Sequence, residues 1–261
     1  MNSITRNVKR TLNRYGFSPS TFLKALNCAW FYKDMKELKK QKGNDTTFSF
    51  ESSYPIFTDK DSEGGTMKGD YFHQDLYVAR LVHNAKPEKH LDIGSKTAGF
   101  VAHVASFREI EIIDIRPIES KVKNIRFRQG DLMQLPPDLI AYCDSVSSLH
   151  AIEHFGLGRY GDPIDYFGYL KAINNVAQIL KPDGVFYFSV PIGPQRIEFN
   201  AHRVFSVSYL MEILSENFRI VSFSYVNDEG DFFETVELSD SDVKNNFGCI
   251  YGCGIFTCIK I

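Results

Sequence analysis

From Lys86-Pro87 to the C-terminus, short apolar runs alternate with amphipathic segments, and this alternation limits the chain to few folds. The apolar runs at 89–93, 109–114, 125–129, 144–149, 184–190, 218–226 and 249–260 read as strands. Helical spacing covers 97–106, 165–180 and 206–216 between them. Strand and helix in alternation imply a mostly parallel sheet with helices on both faces, an α/β fold. The last two strands are separated by an acidic, polar insert with no full crossover helix. They read as a hairpin-like pair, so the expected sheet has seven strands with an antiparallel last strand.

The first strand and its turn, His90-Leu-Asp-Ile-Gly-Ser-Lys-Thr-Ala-Gly99, locate a ligand site. An open parallel sheet binds ligands at the C-terminal ends of its strands. Gly94 lets the backbone approach a ligand, and Asp92 puts a carboxylate at the strand edge. Asp114 follows 22 residues after Asp92, where an acid can accept from a ribose diol. Asp131, in Gly130-Asp131-Leu132, ends the third strand and can accept from an exocyclic amine. The fourth strand runs into His150-Ala-Ile-Glu153-His154. Taken singly, Asp114 reads equally as a helix cap, Asp131 as a turn residue and His154 as a surface histidine. Their order at successive strand ends makes them a set.

Upstream, Ser18-Pro19 reads as the cap and first turn of a helix to about Lys40, with Phe22, Leu23, Leu26, Ala29 and Trp30 on its apolar face. Residues 43–70 read as a long loop, and a helix is expected from Tyr71 to Asn84. Charge is uneven: residues 1–42 carry +8 and the remainder −10. The basic segment suits either a solvated helical face or contact with an acidic surface. A nucleic-acid partner is not expected, because the rest of the chain is acidic. There is no run of membrane-spanning length and no leader-like apolar region, so a cytoplasmic location is expected. Five cysteines (28, 143, 249, 253, 258) without paired spacing favour neither disulfides nor zinc, and no metal site is expected.

Leu91-Asp-Ile-Gly94, Ile113-Asp-Ile, Gln129-Gly-Asp131, Leu149-His-Ala-Ile-Glu-His154 and Leu180-Lys-Pro-Asp-Gly-Val-Phe186 resemble the successive motifs of class I S-adenosylmethionine-dependent methyltransferases. More narrowly, Gly69-Asp-Tyr-Phe-His-Gln-Asp75, Phe155-Gly-Leu-Gly-Arg-Tyr-Gly-Asp162 and Phe199-Asn-Ala-His-Arg203 resemble a poorly characterised bacterial branch associated with surface-polysaccharide synthesis. The resemblance covers about residues 70–261 and implies a Rossmann-like sheet with S-adenosylmethionine as cofactor. Residues 1–68 form a basic helical extension and loop, and 69–261 the cofactor-binding domain. The resemblance implies Gly94 for the methionine part, Asp114 for the ribose and Asp131 for the adenine, with Asp92, Ser95, Leu132 and His150 around them. The segment beginning at Gly69 either folds over the cofactor, with Tyr71 or Gln74 touching it, or packs on the sheet. One departure stands out: the usual G-x-G-x-G turn keeps only its first glycine. Ser95 is then expected to donate where a glycine N–H would.

Methyl transfer to a hydroxyl needs alignment and a base near the departing proton. His154 is the first candidate and His202 the second. Gly156-Leu-Gly-Arg-Tyr-Gly161 lacks the Gly-Lys-Ser/Thr of a phosphate loop and reads as a mobile substrate loop or a solvated one. Arg159 and Arg203, with Arg196, would grip an anionic group, and Tyr160 would stack on a sugar face. The expected acceptor is a small polar, anionic molecule, such as a saccharide or its phosphate or phosphoramidate substituent in capsule synthesis. Two other functions fit the same residues: a nucleotide-cofactor (NAD-type) oxidoreductase, and a non-catalytic cofactor-binding scaffold in a glycan assembly complex.

Overall fold

A computed structural model of the chain describes residues 29–57, 59–60 and 64–261. The chain divides into two compact units, Met1–Thr66 and Met67–Ile261. In the first, helix α1 (Ala29–Lys42) buries none of its residues. Lys60 pairs with Asp34 at 2.7 Å and lies 4.3 Å from the Trp30 ring centre. The expected cap at Ser18-Pro19, and Phe22, Leu23 and Leu26, lie outside the described residues. Among the described residues no helix is long and apolar enough to cross a membrane.

The second unit is built on one sheet of strands β1 (His90–Ile93), β2 (Ile110–Asp114), β3 (Ile125–Gln129), β4 (Cys143–Leu149), β5 (Leu180–Ile192), β8 (Phe218–Val226), β9 (Phe232–Phe233) and β10 (Gly252–Lys260). Their order is β3-β2-β1-β4-β5-β10-β8-β9, with β6 (Arg196–Glu198) and β7 (His202–Val204) forming a separate hairpin. Strands β1 to β5 are parallel, and β10 lies antiparallel between β5 and β8. The sheet therefore has eight strands, not the expected seven. The eighth, β9, pairs only Phe232 and Phe233 with β8, too short a segment to show an alternating pattern.

Residue alternation along the strands feeds two cores, one on each face. Ile93, Val146, Phe186, Phe188, Val190 and Phe256 pack with Ile173 of α4 (Gly168–Ile179) and Leu210 of α5 (Val207–Ser215). On the opposite face Ile110, Ile112, Leu149, Tyr187 and Ile255 pack with Val78 and Val82 of α2 (Asp70–Ala85), and with Val104 of α3 (Ala102–Ala105). Burying each such aliphatic or aromatic side chain stabilises the fold by about 1.5–3 kcal/mol. Ser206 caps α5 by accepting from Tyr209 N at 3.3 Å, as its residue type predicts.

Two expected elements differ at their starts. The last strand starts at Gly252 rather than at 249. Asp228 accepts from Ile250 N at 2.9 Å and Tyr251 N at 2.8 Å, which turns that segment off the sheet. The helix expected at 97–106 opens as a π-type turn, Thr97–Val101, before α3 begins.

Candidate active site

The turn after β1 is held from below. Asp92 is fully buried and accepts from Ser95 N (3.1 Å), Ser95 Oγ (2.6 Å) and Ser147 Oγ (2.5 Å). Burial pushes its carboxyl up to about 6, against the pull of those donors. Ser95 Oγ also accepts from Leu149 N at 3.0 Å, so one hydroxyl ties the β1 turn to the end of β4. Asp92 and the Ser95 hydroxyl thus shape the turn. The expectation that Ser95 donates to the cofactor is corrected, because its proton is given to Asp92.

Gly94 has φ +65, a backbone state that favours glycine, and a Cβ there would stand 3.0 Å from Ala151 Cβ. Above it opens a cleft lined by Gly94, Asp114, Asp131, Leu132, His150, Ala151, His154 and Tyr160. An adjoining recess adds Tyr71, Ser95 and Lys96 and shares Gly94, Asp114, His150 and Tyr160. Asp114 is bound bidentately by Arg116, with Nε to Oδ1 at 3.0 Å and an Nη to Oδ2 at 2.7 Å. Arg116 N also donates to Oδ1 at 2.8 Å, so of the carboxylate's four lone-pair directions one, on Oδ2, is left. Asp131 uses Oδ1 to accept from Met133 N at 2.9 Å, leaving Oδ2.

Gln74 is placed elsewhere. It is fully buried, accepts from Ser189 Oγ at 2.6 Å, and does not line the cleft. It fixes α2 on the sheet, which corrects its expected contact with cofactor. Tyr71, one turn earlier on α2, does reach the recess and stands 5.2 Å from the His150 ring.

His150 (φ +51) and Glu153 form a buried pair, Nδ1 to Oε1 at 2.9 Å. Burial opposes both charges, but Cys253 and Glu153 outweigh it for His150, whose pKa is raised well above the ordinary value. Burial likewise opposes the Glu153 carboxylate, and the attraction of His150 outweighs it and lowers its pKa. His154 is different. Its Nδ1 lies 2.6 Å from Ala201 O, so that nitrogen carries the proton and Nε2 offers its lone pair. Burial lowers the His154 and His202 pKa values, keeping both rings neutral at pH 7. His202, on β7, stands 6.4 Å from His154 between ring centres.

The arginines do not converge on an anion site. Arg203 is 4% exposed and donates to the carbonyls of Glu153 (3.4 Å), Phe155 (2.6 Å) and Tyr166 (3.0 Å). It is a structural brace, which corrects its expected role in substrate binding. Arg196 is engaged with Glu198, Pro194 O and Ile250 O, and Arg159 donates to Ala201 O at 3.0 Å. The expected anionic acceptor loses its basis here. Tyr160 lies between Arg116 and Arg159, 4.2 and 5.0 Å from ring centre to guanidinium. The glycine-rich loop folds around Asp162, which accepts from Gly156 N, Gly158 N and Tyr160 N at 2.8–3.1 Å. Its amides are therefore spent within the loop. Arg116 and Asp162 carry no signal of a site in the sequence, whereas Glu153 stands between two histidines. Among the described residues no group of three His, Cys, Asp or Glu is arranged to hold a metal ion.

In three dimensions the chain resembles the Burkholderia thailandensis 1,6-didemethyltoxoflavin-N1-methyltransferase, solved with 1,6-didemethyltoxoflavin and S-adenosylhomocysteine. The TM-score is 0.52 at 17% identity, over 72% of this chain and 78% of that one. It also resembles the [4+2]-cyclase SpnF, with TM-score 0.50 and 15% identity over 70% of this chain and 80% of that one. These likenesses establish a Rossmann-like methyltransferase fold. No curated protein matches the sequence. One family model aligns with residues 104–247, more than half of the 261. The chain belongs to that family, described as Caenorhabditis protein of unknown function, DUF268.

Proposed function

We propose that the chain is an S-adenosylmethionine-dependent methyltransferase. The observation that carries this reading is the cleft above Gly94. There Asp114 and Asp131, at the ends of β2 and β3, keep acceptor capacity toward the space beside the β1 turn. The residues fit the cofactor: Gly94 admits a close approach, Asp114 suits a ribose diol and Asp131 an adenine amine. Leu132, 3% exposed, supplies an apolar wall. The S-adenosylhomocysteine bound in the Burkholderia relative supports the same assignment. When bound, S-adenosylmethionine supplies an electrophilic sulfonium methyl group.

His154 is our choice of general base, with its proton fixed on Nδ1 and Nε2 open to accept one from an acceptor hydroxyl. His202 stands second. This arrangement supports O-methylation of a small polar acceptor. A saccharide, and with it surface-polysaccharide synthesis, rests on the motif resemblance alone.

Calorimetry with S-adenosylhomocysteine and with NADH tests the reading. Binding of S-adenosylhomocysteine and its loss of about tenfold or more in Asp114→Ala are expected. Binding of NADH in its place would overturn it.

A further inference from the structure

Three imidazoles surround one carboxylate beyond the end of β4. Glu153 is 1% exposed; its Oε1 meets His150 Nδ1 at 2.9 Å and lies 3.7 Å from His154 Nε2. His202 stands 6.4 Å from His154 between ring centres. A tyrosine stands against each imidazole. Tyr71 is 5.2 Å from His150, Tyr160 is 5.4 Å from His154 and Tyr251 is 5.1 Å from His202, between ring centres. Tyr71 and Tyr251 are 43% and 42% exposed and form the solvent side of the cluster. Five buried side-chain polar atoms among the described residues make no hydrogen bond, and three are here: His150 Nε2, Glu153 Oε2 and His202 Nε2. His150 Nε2 faces Asp70 and His202 Nε2 faces Glu198, each at 3.5 Å. Buried polar groups are ordinarily satisfied, so Glu153 Oε2 points to a ligand.

With His150 Nε2 directed at Asp70 and His202 Nε2 at Glu198, the bonding capacity left in the cluster is accepting. Glu153 Oε2 accepts, and so does His154 Nε2, whose ring carries its proton on Nδ1. An anionic ligand finds no free guanidinium, since Arg116, Arg159, Arg196 and Arg203 are all engaged. An ammonium group finds no uncompensated carboxylate, since Glu153 already faces His150. What fits is an uncharged molecule with two donors close together. Hydroxyls on neighbouring carbons match an imidazole Nε2 beside a carboxylate whose other oxygen, Oε1, lies 3.7 Å from it.

We propose that Glu153 and His154 form the floor of an acceptor subsite selecting an uncharged vicinal diol. One hydroxyl donates to Glu153 Oε2 and the other to His154 Nε2; the inference rests on the methyltransferase reading. The hydroxyl on His154 is the one methylated. Its oxygen bonds the methyl carbon as the carbon–sulfur bond breaks with its electron pair left on sulfur, and its proton passes to Nε2. Glu153 selects the substrate and the three tyrosines flank it.

Saturation-transfer NMR on the full chain, with and without S-adenosylhomocysteine, tests the subsite. The probes are cis-1,2-cyclohexanediol against cyclohexanol, and methyl α-mannopyranoside against mannose 6-phosphate. The diol is expected to bind about tenfold or more tightly than the mono-alcohol, with no gain from phosphate. Glu153→Gln is expected to lose the discrimination while retaining S-adenosylhomocysteine. Equal binding of diol and mono-alcohol, or tighter binding of the sugar phosphate, overturns the proposal. If Glu153→Gln does not fold, the wild-type probe pairs decide alone. Failure to bind S-adenosylhomocysteine while the diol preference persists removes the cofactor reading and supports the subsite.

Discussion

The Asp75 carboxylate occupies the space that Gly99 leaves by having no side chain: a Cβ at Gly99 would overlap Asp75 Oδ2. Asp75 reaches there from α2, and Phe100 N donates to it at the opening of the π-type turn. Burial pushes the Asp75 carboxyl up to about 6. Gly99 thus serves helix packing, where the usual cofactor turn would present a glycine to the ligand. Gly99→Ala is expected to destabilise the chain by about 1–3 kcal/mol. Asp75→Ala removes the obstacle, so the double variant should cost less than the sum of the single ones. Urea unfolding of the four proteins measures the coupling, and strict additivity would refute the contact.

Ser95 makes both bonds a hydroxyl there can make, donating to Asp92 and accepting from Leu149 N. Ser95→Gly strips both bonds from a buried site. A loss of about 1–3 kcal/mol in unfolding free energy is expected, with no gain in S-adenosylhomocysteine affinity. Thermal unfolding and calorimetry on the same preparation check the two halves; tighter binding by the variant would mean that Ser95 obstructs the ligand.

His90 is buried beneath the turn, and burial drives its pKa down to about 3. Ser147 gives its proton to Asp92, so His90 Nε2 donates to Ser147 Oγ at 3.1 Å and Nδ1 accepts from Ser145 Oγ at 2.8 Å. The unfolded chain takes up a proton on this ring below its usual value near 6.5, while the folded chain does not. The fold therefore keeps the full contribution above that value and loses about 1.4 kcal/mol per pH unit below it, down to about 3. Asp75 and Asp92, raised to about 6, act oppositely: their contribution is full below about 4 and falls as pH rises through 6. Comparing wild type with His90→Gln at each pH cancels those two. The stability difference between them should shrink by about 2 kcal/mol from pH 7 to pH 5 in denaturant titrations. A pH-independent difference would show that His90 takes up a proton in the fold as readily as in the unfolded chain.

Arg203 and Arg159 look alike in sequence and differ in burial. Arg203→Lys removes a guanidinium that braces three backbone carbonyls and should cost about 1–3 kcal/mol without changing S-adenosylhomocysteine affinity. Arg159→Ala, on an exposed side chain, should stay within about 0.5 kcal/mol. Denaturant midpoints for the pair test this, and equal costs would contradict the assigned burial.

Sequence alone determined seven of the sheet's strands. Short continuous apolar runs specify strands where both faces are covered, and their alternation with helical segments gives the parallel core β1 to β5 with an antiparallel β10. Gly94, Asp114 and Asp131 were legible for the same reason, since each sits where a predicted strand ends. Partners distant in sequence were not legible. Spacing could not show that Ser147, 55 residues away, takes up Asp92, or that Ala201 O fixes the His154 tautomer. Nor could it show that three carbonyls absorb Arg203, or that Asp75 fills the space at Gly99. Residue type states what a side chain can bond. Only the tertiary structure decides which of those bonds are already made inside the fold, and so which groups remain for a ligand.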